Sequence, residues 1–291
     1  MRSVNRAWAA FLLLSLLNVA ANAETTIDDA ALSALQSAVA SQSEEHKARY
    51  SYRNPVETLR FFEVIPGMTV IEGLPGSGWY TRILVAYLGD EGTLIAAHHA
   101  DEAWQALRPT RDLDWEAERI ENTRTWTQRT AGGIAAGTGI TLNSYQFSKM
   151  PQAFNGTVDR VLFFRMLHNL QELGDEYVTA AIAESYRALK PGGIVGVVQH
   201  RAPETSSDSW ANGDAGYLKP SRVIAAFRAA GFSLIDESEL NANPQDQPTE
   251  ADVVWRLPPT LRNATDGTLQ YEVMLAIGES DRMTLKFLKP E

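Results

Sequence analysis

The chain has 291 residues, 44% of them hydrophobic, enough apolar material to bury the core of one large domain or two small ones. Its formal charge is −10 and no clustered basic stretch offsets it, so nucleic acid is excluded as an expected partner. With no cysteine, thiol nucleophiles, thiolate metal sites and a lipidated N-terminal cysteine drop out together, and the five histidines form no HExxH or other spaced metal signature.

Residues 1–23 read as a secretory signal peptide. Arg2 and Arg6 form a basic start, Ala7 to Ala20 an apolar core, and Ala21-Asn22-Ala23 a small-x-small cleavage site. The apolar stretch is shorter than the ~20 residues of a spanning helix, and no later stretch reaches that length, so export without a stable membrane anchor is the expectation. Cleavage leaves Glu24 first and removes two arginines, which takes the charge to −12.

Residues 24–65 are expected to form an N-terminal helical brace. Ile27 to Tyr50 places Leu32, Leu35 and Val39 at helical spacing, Asn54-Pro55 interrupts it, and Pro55 to Val64 reads as a second short helix. Tyr52 and Arg53 either reach from this brace over a bound ligand or form its solvated face, and the solvated face is the preferred reading. Pro66-Gly67 then turns the chain into a domain spanning 66–291, whose first strand starts at Met68 and ends near Glu72. A turn with Gly76, Ser77 and Gly78 follows, then a helix from Trp79 to Leu88, a turn at Gly89 to Gly92, and a strand from Thr93 to His98. That sequence makes a β-α-β unit with parallel strands.

Ala100 to Thr130 is polar and holds Trp104, Trp115 and Trp126, which predicts surface helices pinned by aromatic anchors. Ile140 to Tyr145 supplies a third strand and Thr157 to Leu167 a fourth, with Arg165, His168 and Asn169 at its carboxyl end. Asp175 to Leu189 is helical, Lys190-Pro191-Gly192-Gly193 stops it, and Ile194 to His200 is the fifth strand. Ser221 to Ala230 forms a helix and Phe232 to Leu240 a strand. Residues 241–269 read as a long loop insertion, and Met283 to Leu288 as a terminal strand.

Strand, glycine turn, helix is a ligand-binding arrangement, because glycines admit the ligand to the backbone and the helix presents free N–H groups and its positive dipole end. The spelling narrows the ligand. A dinucleotide fingerprint wants a third glycine where Thr81 stands, and a phosphate loop wants a lysine that the turn lacks. An acidic residue at the strand end followed by Gly-x-Gly resembles motif I of the class I S-adenosylmethionine (SAM) dependent methyltransferases. Leu74 stands where many members have a first glycine, and His98 where an acidic residue usually ends the second strand.

The motif I stretch, the fourth strand with Phe164, Arg165, His168 and Asn169, the LKPGG segment, the Asn241-Ala242-Asn243-Pro244 loop and the ending IGESDRMTLKFLKP occur in one order. Together they resemble a family of exported bacterial proteins described as predicted methyltransferases. The resemblance implies a Rossmann-like α/β fold with a mostly parallel seven-stranded sheet, the C-terminal strand antiparallel beside the sixth, SAM as cofactor and a periplasmic location. It also implies that Glu72, Gly76 and Gly78 hold the methionine part of SAM and that His98 or Asp101 takes the ribose.

Ligands of open α/β sheets bind beyond the carboxyl ends of the strands, which places His168 as a candidate base and Arg165 and Asn169 as groups that orient an acceptor. Each has a plainer reading: Glu72 as a helix cap, His168 as a hydrogen-bonded strand-end histidine, His200 as a loop anchor. The leading expectation is methyl transfer to a small molecule or an envelope component. A methyltransferase fold kept for binding a nucleoside-like or other periplasmic ligand is the alternative. A serine hydrolase lacks its Gly-x-Ser-x-Gly elbow, since Gly76-Ser77-Gly78 is too short for it.

Overall fold

The computed structural model describes residues 27–108 and 111–291, so the signal-peptide reading at 1–23 falls outside the described residues. Seven strands form one sheet: β1 (Thr69–Gly73), β2 (Thr93–His98), β3 (Thr141–Gln146), β4 (Val158–Phe164), β5 (Leu189–His200), β6 (Ser233–Ser238) and β7 (Arg282–Leu288). Their order is β3-β2-β1-β4-β5-β7-β6. The strands β1 to β5 run parallel, and β7 is antiparallel to both neighbours. This is the Rossmann-like methyltransferase topology expected from the motifs.

Side chains alternate across the sheet with the strand period of two. Val70, Leu94, Leu162 and Val198 pack under one helical layer, which contains α1 (Asp29–Ala40), α4 (Pro55–Phe61), α5 (Trp79–Leu88) and α8 (Trp126–Gly132). Ile71, Ile95, Val161, Phe163 and Val197 pack under the other, built largely from α9 (Leu167–Gln171), α10 (Asp175–Ala188) and α11 (Pro220–Ala229). Both faces are therefore buried, as a parallel sheet requires.

The boundaries of α5 and β2 fall where the sequence puts them. Three other elements differ. The helix expected over Ile27 to Tyr50 is broken into α1, α2 (Glu44–Lys47) and α3 (Tyr50–Arg53), because Ser43 restarts the chain by capping the His46 amide at 3.3 Å. The LKPGG segment joins β5 instead of only stopping α10: Gly192 N donates to Lys289 O at 3.0 Å and Lys289 N to Gly193 O at 2.9 Å. The expected loop over 241–269 is followed by a helix that the sequence reading leaves unassigned, α12 (Leu269–Ile277), capped by Thr268, which accepts from Tyr271 N at 3.2 Å. The polar region 100–130 is helical as expected, in α6 (Ala103–Leu107), α7 (Leu113–Arg124) and α8.

The brace is bolted to the C-terminal part of the chain. Asn54 donates to Leu240 O at 2.6 Å, Arg282 to Tyr52 O at 3.1 Å, and Asn241 spans Thr58 and Thr284 at 3.1 and 3.0 Å. Its arginines also reach a buried carboxylate, Glu279. Among the described residues no helix is long and apolar enough to cross a membrane.

Candidate functional site

One cavity of about 350 Å³ opens beyond the carboxyl ends of β1, β4 and β5. That volume lies within the range that holds a small ligand. Its floor is the turn after β1. Gly76 adopts φ +59°, and a Cβ placed there would meet only Leu74 O, at 3.9 Å, so this backbone faces open space. Leu74 itself takes φ 45° despite its side chain. The left-handed turn expected of a glycine is thus kept at this departure from the motif, at a strain of roughly 1–2 kcal/mol. Gly78 also has positive φ and caps α5, where a Cβ would sit 3.0 Å from Ile134 Cδ1.

Glu72, next to last in β1, is buried and lines the cavity, with its carboxyl accepting from Thr81 Oγ1 at 2.7 Å. Burial raises its pKa to about 7, with the Thr81 bonds opposing, so near neutral pH it is poised between acid and carboxylate. A cation entering the cavity would draw it to the charged form.

Arg165, His168 and Asn169 line the same cavity. Arg165 follows β4 in a left-handed conformation, φ 56°, held by its amide on Val198 O at 2.6 Å. His168, in α9, is buried, with Nδ1 3.4 Å from the Gln199 amide oxygen, while Gln199 Nε2 donates to Gly216 O at 3.1 Å. Desolvation lowers the His168 pKa to about 4 against the Gln199 hydrogen bond, with Arg165 and Arg108 adding to the fall. The ring is therefore neutral and a weak base in the free protein. His200 also reaches the cavity; its Nδ1 lies 2.6 Å from Ser280 Oγ, and burial and then His168 hold its pKa well below the usual histidine value.

Two sequence-selected residues sit elsewhere. His98 and Asp101 do not line this cavity. His98 is buried beside Trp126, ring centroids 5.7 Å apart, with its Nε2 unpartnered. Asp101 is engaged by Arg124 at 2.7 Å and Gln146 at 2.5 Å.

For Arg53 the structure favours the reading ranked second, in which the brace reaches over the cavity and walls it. Arg53 is only 2% exposed; its guanidinium lies 4.4 Å over the Trp79 ring, and Nε donates to Glu279 at 3.2 Å. Arg49 donates to the same carboxylate through Nε at 2.6 Å, Arg282 pairs with it from β7, and Arg165 stands 3.7 Å away. Burial alone would raise the Glu279 pKa, but Arg282, Arg53, Arg165 and Arg49 outweigh it and hold it at about 2. Four guanidiniums share one carboxylate. Tyr80, stacked on Phe164 with centroids 3.5 Å apart, and the segment Leu257 to Thr260 complete the rim. Glu279, Ser280 and Arg282 lie in the IGESDR phrase near the C-terminus, which carries no pattern tied to chemistry, and Arg49 carries no local signal.

Among the described residues no cluster of three metal-capable side chains occurs. A scan against protein-family models gives no match, and neither does a search of curated proteins. Solved structures do match in fold. A chain of the Haloferax volcanii complex containing the Trm112 methyltransferase activator shares 16% identity with a TM-score of 0.51, over 88% of this chain and 98% of that one. A SAM-dependent methyltransferase from Aquifex aeolicus gives 13% and 0.50 over 88% and 98%. The [4+2]-cyclase SpnF gives 13% and 0.50 over 82% and 81%. At these identities the likeness is one of fold.

Proposed function

We propose that the protein transfers a methyl group from SAM to a small-molecule or envelope acceptor. The observation that carries this reading is the Glu72–Gly78 turn on a methyltransferase topology, opening into a cavity where Gly76 presents bare backbone. The residues fit the methionine half of SAM: Gly76 and Gly78 leave room at the backbone, and Glu72 supplies a carboxyl whose charge is not neutralised in advance by an arginine. When bound, SAM supplies an electrophilic methyl on a sulfonium. This chain then has to align an acceptor in line with it, exclude water and accept a proton. His168 is the candidate acceptor of that proton, while Arg165 and Asn169 orient the acceptor molecule.

Calorimetric titration with SAM and S-adenosylhomocysteine tests the proposal. Micromolar binding that disappears in a folded Gly76→Arg variant is expected, since the added side chain would occupy the bare face at φ +59°. No binding by well-folded protein overturns it.

The position of His98 and Asp101 outside the cavity lining favours one second reading, a binding protein on the same fold that holds a ligand without methyl transfer. A fold shared with a [4+2]-cyclase is compatible with chemistry other than methylation. We further propose export to the periplasm through residues 1–23, with His98 or Asp101 meeting the ribose; N-terminal sequencing that starts at Met1 in protein from a bacterial host would overturn the export proposal.

A further inference from the structure

The arginine wall is larger than the fold needs. Arg53 and Arg282 tie the brace to β7 through Glu279, and Arg49 strengthens the tie. Arg165, from the end of β4, is the outermost of the four around that carboxylate. Its guanidinium makes one ionic contact, at 3.7 Å, and no hydrogen bond among the described residues, yet it is 79% buried in side-chain area and lines the cavity. Arg53 and Arg282 surround it with like charge, and desolvation and then these neighbours push its pKa well down. A protein of net charge −10 thus carries a local surplus of three positive charges around Glu279, or two when Glu72 is ionised. A partly buried guanidinium with five N–H donors, held there by a strained backbone at φ 56°, is completed by a ligand that brings the missing charge.

We propose that the acceptor carries an oxyanion group, carboxylate or phosphate, which docks in the fork of Arg165 with Arg53 and Arg49 beside it. The inference rests on the methyl-transfer reading. Geometry favours an oxyanion over other anions because the planar fork matches two oxygens at once. Docking has a limited chemical consequence: burial is the main cause of the low His168 pKa and stays in place, while negative charge brought beside Arg165 offsets the smaller part that this arginine contributes. Outside the acceptor complex the histidine stays neutral.

The same carboxylate chemistry exists in SAM itself, so the experiment separates the two sources. Inorganic phosphate and malonate are titrated calorimetrically into the protein, with and without saturating S-adenosylhomocysteine, for wild type, Arg165→Met, Arg165→Lys and the surface control Arg222→Met. The expected result is that one anion binds in both conditions, that Arg165→Met weakens it at least tenfold, that Arg165→Lys recovers part of the loss, and that Arg222→Met changes nothing. The affinity for S-adenosylhomocysteine should move less than threefold in all variants, and the tighter of the two anions names the class.

Competition between the anion and S-adenosylhomocysteine, with Arg165→Met weakening both equally, would assign the arginine to the cofactor's carboxylate and overturn the proposal. Absence of anion binding to wild type would overturn it too. Anion binding by a protein that ignores S-adenosylhomocysteine would overturn the methyl-transfer reading and the acceptor role, while leaving Arg165 as the anion site of a binding protein.

Discussion

Replacing Glu279 by Gln tests the electrostatic hub directly. The carboxylate is 3% exposed and its pKa is about 2 against an ordinary 4.5. At ~1.36 kcal/mol per unit, this difference makes the ionised group worth about 3 kcal/mol to the folded state. The pKa is depressed, so this stability is fully present above pH 4.5 and is lost as the pH falls towards 2. Glutamine keeps the shape and removes the charge, leaving Arg49, Arg53, Arg165 and Arg282 without a counterion. The expected loss at pH 7 is about 3 kcal/mol, a fall in Tm of roughly 6–12 °C for a domain of this size. Thermal unfolding of both proteins from pH 7 down to the lowest pH at which they fold reads the difference, which should shrink below pH 4.5. Equal stability at pH 7, or a difference independent of pH, would refute the reasoning.

Glu72→Gln should act in the opposite direction. The Glu72 pKa is raised from 4.5 to about 7, so the native state loses stability as pH rises through that window, and the neutral amide avoids it. The variant is expected to match wild type at pH 4, to exceed it by up to about 3 kcal/mol at pH 8 in denaturant titrations, and to bind SAM more weakly; wild-type affinity for SAM would remove Glu72 from the cofactor site. Gly196→Ala should destabilise by about 1–3 kcal/mol, because a Cβ there would lie 2.5 Å from Phe62 Cγ. Adding Phe62→Leu should return part of that loss, and no loss in the single variant would mean that the brace yields where β5 meets it.

The elements most legible in the sequence were those whose ends are marked by glycine or proline. Gly78 and Gly89 bound α5, and Gly92 precedes β2. Elements whose limits are set by distant pairing were misread: β5 extends back through LKPGG because β7 and β4 offer it partners, a fact held in neither segment alone. The helix α12 was missed although Thr268 caps it, because Leu269, Val273 and Leu275 remain exposed and its apolar pattern has no buried face to reveal it. The site divides the same way. Glu72, Gly76, Arg165, His168 and Asn169 were visible through strand ends and the glycine turn. The Arg49–Glu279 and Arg53–Glu279 pairs span 230 and 226 positions, beyond any local pattern. His98 ends β2 where the sequence puts it, and there it packs beside Trp126 and is not among the residues that line the cavity.

The placement of β7 between β5 and β6 has a kinetic side. Sheet and cavity wall are closed by the same event, because Arg282 begins the strand and Glu279 precedes it by three residues. Contacts of such long sequence separation form slowly, since the loop they close must be ordered before any bond repays it. The cavity wall is therefore incomplete until β7 lies between β5 and β6, and an anion in the proposed Arg165 site would touch both sides of that seam. Such a ligand would act as a fastener, stabilising the closed sheet by RT ln(1 + L/Kd), where L is its free concentration, a gain that grows with the logarithm of that concentration.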